Sequence, residues 1–296
     1  MKFLLENSEL SIQVDELGAE LTSIYNPSAK SEYLWNASPE YWKRHSPILF
    51  PFVGSLRNKS FIYEGAVYPA SQHGFARDKR FRLLNRSDTE LWFFLEDDEE
   101  TIRHYPFHFR LEVGYLLKDK AITVSWRVVN RGHKEMYFSI GAHPAFNCPL
   151  HPDENNTECF IQFDNREPLH YLLINESGLA VKKPLEEQDL LATDDHGCLP
   201  YNPHLFDKDA LIFEDRQCHR VSLLNSSKLP YVTVSFDAPL FGLWSPAGKN
   251  APFFCIEPWY GRCDSEAFQG TLKEREWGNT LQAGEAFEAY YTIELY

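Results

Sequence analysis

Three short segments each set a titratable side chain among apolar and turn-forming residues. They are Gln72-His73-Gly74-Phe75-Ala76-Arg77, Ile140-Gly141-Ala142-His143-Pro144-Ala145-Phe146 and Phe254-Cys255-Ile256-Glu257-Pro258-Trp259-Tyr260-Gly261. Two imidazoles and a carboxylate are the smallest set that does both acid and base work near neutral pH, because imidazole titrates there unaided and burial tunes a carboxylate upward. Glu257 is the most informative of the three. It follows the apolar run Pro252 to Ile256, which reads as a buried strand where an unpaired carboxylate is costly. Each residue also has an ordinary reading: a histidine beside glycine or proline as a structural residue, a buried glutamate as half of an ion pair with arginine.

The elements that must hold these segments are strands. Period-two alternation recurs along the chain, most clearly at Ala121 to Asn130, where Ile122, Val124, Trp126 and Val128 alternate with Thr123, Ser125 and Arg127. The run Leu111 to Leu117 leads into it through Lys118-Asp119-Lys120 and predicts a hairpin. Further hairpins are expected around Glu64-Gly65 and around Asn225 to Lys228, and a closing strand over Phe287 to Leu295. Helical signals are few: a short helix over Asp97 to His104, stopped by Pro106, and a turn or two over Pro39 to Lys43. The stretches Asp153 to Thr157 and Lys182 to Asn202 read as long surface loops. The chain contains no repeat and no Gly/Ser linker, so residues 1–296 are expected to form a single all-β domain, a large antiparallel β-sandwich.

Composition narrows the partners. A net charge of -14 without a basic cluster argues against nucleic acid. The apolar run Phe3-Leu4-Leu5 is too short for a signal peptide or membrane anchor, which points to the cytoplasm. The six cysteines form no CxxC pair and read as reduced packing thiols.

Taken together, HGFAR at 73–77, GAHPAF at 141–146, GLWSP at 242–246 and CIEPWYG at 255–261 resemble the aldose 1-epimerase family, in particular its LacX-like branch. The resemblance runs from Gly18-Ala19-Glu20-Leu21 to Gly284-Glu285-Ala286-Phe287. It implies a galactose mutarotase-like supersandwich and interconversion of α and β anomers of a hexose. In the roles it implies, Glu257 takes the proton of the anomeric hydroxyl, His143 protonates the ring oxygen, His73 binds and polarises that oxygen, and Asp209 holds sugar hydroxyls. The chemistry suits the residue types: opening a hemiacetal needs one proton removed and another delivered, each assisted by about 10²–10⁴-fold. No metal, cofactor or covalent intermediate is needed. Trp259, Phe75 and Trp244 are candidates to pack on the apolar face of a sugar, or equally to pack in the core.

One segment departs from the family. Where many LacX-like sequences place a basic residue directly after the glycine of Phe52-Val53-Gly54-Ser55-Leu56-Arg57, this chain has Ser55, with Arg57 two residues on. On a strand the two positions share a face, so Arg57 is expected to reach the same cleft. Arg77 either pairs with a carboxylate such as Asp78 or Glu257, or holds a phosphate as arginines do in the related hexose-6-phosphate epimerases. The competing functions are a metal-dependent sugar enzyme, disfavoured by the absence of HExxH spacing, and a carbohydrate-binding protein without catalysis. The expected partner is a small sugar, and the expected assembly a monomer or homodimer.

Overall fold

A computed structural model describes residues 1–151 and 154–296. Its larger sheet has nine strands in the order Cys198–Pro200, Phe160–Phe163, Arg220–Leu224, Pro230–Phe236, Ala286–Leu295, Ala121–Asn130, Phe109–Lys118, Glu90–Glu96 and Arg82–Arg86. The second large sheet runs Leu211–Phe213, Leu240–Trp244, Phe253–Tyr260, Ile140–Ala142 and Ile48–Leu49, with Ala145–Asn147 also paired to Phe253–Tyr260. Every strand pair in both sheets is antiparallel. The inner faces meet through aromatic contacts such as Tyr260 on Phe287 at 5.1 Å and Phe236 on Phe241 at 5.4 Å. Burying these flat side chains between two sheets is what removes most apolar surface from water.

The three expected hairpins form. Lys118 pairs with Ala121 across a two-residue turn, and Tyr63 pairs with Ala66 across Glu64-Gly65, both with positive φ as a type I′ turn requires. Arg220–Leu224 pairs with Pro230–Phe236 through a bulge. Along Ala121–Asn130 the alternating residues Ile122, Val124, Trp126 and Val128 are buried, as their spacing dictates.

The expected short helix forms as Glu99–His104, begun by Asp98 in a capping box with Thr101. Elsewhere the structure differs from expectation. Pro39 to Lys43 is a turn and not a helix, because the Trp42 carbonyl accepts from the Trp35 indole (2.9 Å) and Tyr41 packs on the same ring. Tertiary packing overrides local propensity here. The stretch Lys182 to Asn202 carries two short strands, Asp189–Leu191 and Cys198–Pro200, too brief to display a period. In the other expected loop Asp153 lies outside the described residues, and Asn156–Glu158 forms a 3-10 turn. All six cysteines are free and buried.

The strand Phe253–Tyr260 is buried on both faces. Phe254 and Ile256 join the main core, whereas Cys255, Glu257 and Trp259 point to the opposite face, where the candidate site residues gather.

Candidate active site

Ile140–Ala142 and Ala145–Asn147 pair with Phe253–Tyr260 in one register, Gly141 opposite Trp259 and Ala145 opposite Cys255. His143 therefore stands opposite Glu257, at the point where Pro144, having no N–H, interrupts the ladder. His143 Nε2 lies 3.3 Å from Glu257 Oε2. The approach is not aligned as a hydrogen bond, and Glu257 Oε2 and His143 Nδ1 are both buried without a hydrogen-bond partner. His143 is 7% exposed and Glu257 1%, so water cannot compensate either group fully. Among the described residues Glu257 has no arginine or lysine partner, which disposes of the ordinary ion-pair reading.

Two glycines make room for the third member of this face. A Cβ on Gly242 would lie 2.4 Å from the Trp259 ring and one on Gly141 2.5 Å from it, so the indole lies where neighbouring side chains are missing. Its N–H donates to the Ala142 carbonyl at 3.3 Å.

His73 comes from a turn in which it and Gly74 both have positive φ. A Cβ at Gly74 would lie 2.2 Å from the Phe50 carbonyl oxygen, which explains the glycine. The His73 backbone N–H donates to Gly54 O (2.9 Å), and the Gly54 N–H donates to His73 Nδ1 (3.1 Å). That bond makes Nδ1 an acceptor and leaves the proton on Nε2 of the neutral ring. The ring sits 5.6 Å from His143, edge to face.

His73, His143 and Glu257 line one cavity of about 220 Å³ together with Trp42, Gln72, Arg77, Asp209, Trp244 and Trp259. It is smaller than the ~300–1,000 Å³ of drug-sized sites and on the scale of one small polar ring. Gln72, Ile174, Gly178 and Asp209 also border an adjoining open trough of about 1460 Å³. The His143 ring is held on two sides, by Trp42 stacked at 4.7 Å and by the edge of Trp244 at 5.4 Å.

The electrostatics follow from burial. Desolvation first, and the nearby negative charge of Asp209 second, push Glu257 well above the usual carboxylate range. Desolvation, aided by the positive charges of Arg77 and Arg44, lowers His143 to about 3. His73 is likewise well below the usual imidazole value, through burial and then its neighbour His143. Burial thus disfavours the charged form of all three groups in the ligand-free pocket.

The remaining expected residues separate. Arg77 lines the cavity, donates to Gln72 O (2.8 Å) and approaches Asp78 at 3.7 Å, while its Nε is buried without a hydrogen-bond partner. Burial and the charge of Arg44 lower it to about 10. Asp78 itself is held by Arg44 at 2.8 Å. Asp209 is exposed at the cavity mouth. Arg57 borders the trough and not the cavity, with its guanidinium donating to Phe268 O (2.6 Å). The strand assumed for 55–57 does not form, since Arg57–Lys59 is a 3-10 turn with positive φ at Asn58 and Lys59. Phe75 is absent from the cavity wall. The reversal at His73-Gly74 turns it to the other side, where it packs on Phe50, Tyr105 and Phe109. Trp42 was not marked by any motif, and a lone tryptophan in a polar turn was its only signal.

An ionic network built on the buried Arg262, Asp264 and Arg275 follows the Glu257 strand in sequence. Arg262 bonds Glu214 (2.5 Å) and Glu276 (2.6 Å), and Arg275 bonds Asp264 (2.7 Å). The other Asp264 oxygen accepts the Arg57 backbone N–H at 2.9 Å, tying the 54–57 segment to residues 261–264. Satisfied charges of this kind hold a loop in one position.

The two antiparallel sheets with the cavity on one of them are a galactose mutarotase-like fold. A galactose mutarotase related enzyme from Lactobacillus acidophilus superposes with a TM-score of 0.93 at 31% identity, over 100% of this chain and 97% of that one. A galactose mutarotase-like protein from Lactobacillus casei ATCC 334 gives 0.90 at 30% identity, with 100% of each chain covered. The sequence matches the aldose 1-epimerase family over residues 1–291, and the chain belongs to that family. It is 34% identical over 275 residues to the plasmid-encoded protein LacX of Lactococcus lactis subsp. lactis, covering 88% of both chains. Among the described residues no helix is long and apolar enough to cross a membrane.

Proposed function

We propose that this chain is an aldose 1-epimerase that interconverts the α and β anomers of a free hexose by acid–base ring opening and closure. The observation that carries the reading is the opposed pair, His143 Nε2 3.3 Å from Glu257 Oε2, at a cavity on the scale of one sugar ring. The pair holds one transferable proton whether written as carboxylic acid and imidazole or as carboxylate and imidazolium. A sugar supplies hydroxyl donors to the unpartnered Glu257 Oε2, which favours the carboxylate and passes the proton to His143. Glu257 then accepts the anomeric hydroxyl proton while His143 protonates the ring oxygen. His73, fixed as an Nε2–H donor, hydrogen-bonds the same oxygen. After rotation about C1–C2 the two groups exchange roles and the ring closes on the other face. Trp259, Arg77 and Asp209 bind the sugar at the cavity, and Arg57 acts from the trough.

A second reading is a hexose-6-phosphate 1-epimerase. It is favoured by Arg77, whose Nε has no hydrogen-bond partner and which shares the single carboxylate of Asp78 with Arg44. Against it stands Asp209 at the mouth, which repels an anion, together with the net charge of -14. Free hexoses are therefore the preferred substrates. Polarimetry of freshly dissolved α-glucose and α-galactose, and NMR exchange on glucose 6-phosphate, test both. A rate equal to the buffer blank on every aldose and aldose phosphate would leave the protein a carbohydrate-binding member of its family.

A further inference from the structure

Cys255 has no part in the acid–base scheme, yet it shares a face with Glu257, two residues along the same strand, and stands diagonal to His143 across the interrupted ladder. One donor atom from each of His143, Cys255 and Glu257 lies within 4.8 Å of the other two, and all three residues are buried. We propose that these three side chains form a binding site for a thiophilic divalent cation such as Zn²⁺, and that the bound ion switches off the acid–base pair.

The geometry is close to what zinc requires. With Zn–N and Zn–O near 2.0–2.1 Å and Zn–S near 2.3 Å, tetrahedral donors stand about 3.3–3.6 Å apart. His143 Nε2 and Glu257 Oε2 are at 3.3 Å already, so one edge of the tetrahedron exists. Drawing the thiol in from at most 4.8 Å requires a shift of about an ångström or slightly more. Glu257 Oε2 is buried and without a hydrogen-bond partner, so coordination costs it no existing hydrogen bond. One nitrogen, one sulfur and one carboxylate oxygen make a mixed set of the kind zinc accepts, and two of the three ligands, His143 and Glu257, line the cavity from which the ion enters. Binding expels the thiol proton and the proton held on the carboxyl group. The positive charges of Arg77 and Arg44 oppose the ion, but a thiolate and a carboxylate in direct contact with it outweigh charges farther off.

The inference is independent of which sugar the enzyme takes, and it can be read without turnover. Co²⁺ added to the metal-free protein should give a thiolate-to-metal charge-transfer absorption in the near ultraviolet, absent in Cys255→Ala and Cys255→Ser. Equilibrium dialysis should show Zn²⁺ bound by the wild type and weakened in both variants. Removing groups behind a metal ligand already costs about 10–100-fold in affinity, so losing a ligand should cost at least that. In the anomer-exchange assay Zn²⁺ should inhibit the wild type, a chelator should reverse it, and either Cys255 variant should be active and resistant. Failure of all turnover would count against the epimerase reading and leave the Co²⁺ spectrum to decide this one. Absence of the absorption, or Zn²⁺ affinity unchanged in both folded variants, would overturn the site; the latter result would assign the ion to surface histidines.

Discussion

His143 and Glu257 face each other from opposed positions of one antiparallel register, the ladder open between them at Pro144 and their Nε2 and Oε2 atoms 3.3 Å apart. Their separation is set by the spacing of two strands and not by the reach of flexible side chains. A pair held in this way needs little rearrangement to exchange a proton with a substrate lying across it.

Glu257→Gln keeps the shape and removes the basicity, so turnover should fall by about 10²–10⁴-fold in a folded protein. The same substitution should stabilise the fold. Glu257 is protonated when folded and ionised when unfolded over the window above its ordinary carboxylate value, so the wild type loses stability as pH rises through that window. Melting curves should show Glu257→Gln the more stable, by a margin larger at pH 8 than at pH 5. A margin independent of pH would mean that Glu257 is ionised in the native state.

The pH profile should be broad. His143 is lowered to about 3 and Glu257 raised, so the singly protonated pair spans a wide range, and the two apparent constants belong to the pair. The kcat/KM value, corrected for spontaneous mutarotation, should therefore not fall with His143 protonation as pH drops through the ordinary imidazole value of 6.5. An inflection there would show His143 titrating as an exposed histidine does.

Trp42→Ala removes the ring stacked on His143 and should lower kcat/KM by roughly two- to tenfold, the worth of one aromatic contact. Phe75→Leu should leave KM for hexoses unchanged and lower Tm, since that ring packs in the core. A raised KM in Phe75→Leu would return the residue to the sugar site.

Gly242→Ala sets a methyl group 2.4 Å from Trp259, and overpacking of this kind costs about 1–3 kcal/mol. Both Tm and activity should drop, because the indole lies close against Gly242 and Gly141 at the cavity wall. Wild-type values for both would show the indole free to move.

Exchange should survive exhaustive chelation, since acid and base suffice for every step proposed. Activity lost on chelation and restored by one specific metal would make the protein a metalloenzyme.

Much of this was legible in the chain. Alternation at Ala121 to Asn130 and the turn at Asp119 specified a hairpin, and three short motifs marked His73, His143 and Glu257, which meet at one cavity. Glu257 was conspicuous because a carboxylate in an apolar strand is costly. What could not be read depended on backbone direction at single residues: positive φ at His73 and Gly74 precedes a Phe75 that packs away from the cavity, and a 3-10 turn with positive φ at Asn58 and Lys59 stands where a strand carrying Arg57 was expected. Trp42 was hidden for a related reason, since its position comes from packing against Trp35 and Phe253, far away in sequence or without a periodic signal.

The nine-stranded sheet has a consequence for how the chain is made. Its middle strand, Ala286–Leu295, follows every other strand in sequence yet lies between Ala121–Asn130 and Pro230–Phe236. During synthesis the groups on either side emerge as two separate half-sheets, each with an unpaired edge facing the gap that this strand will fill. Those edges are open to pairing with other chains until residues 286–295 arrive, so the hazard of misassembly is concentrated in the interval before translation reaches them.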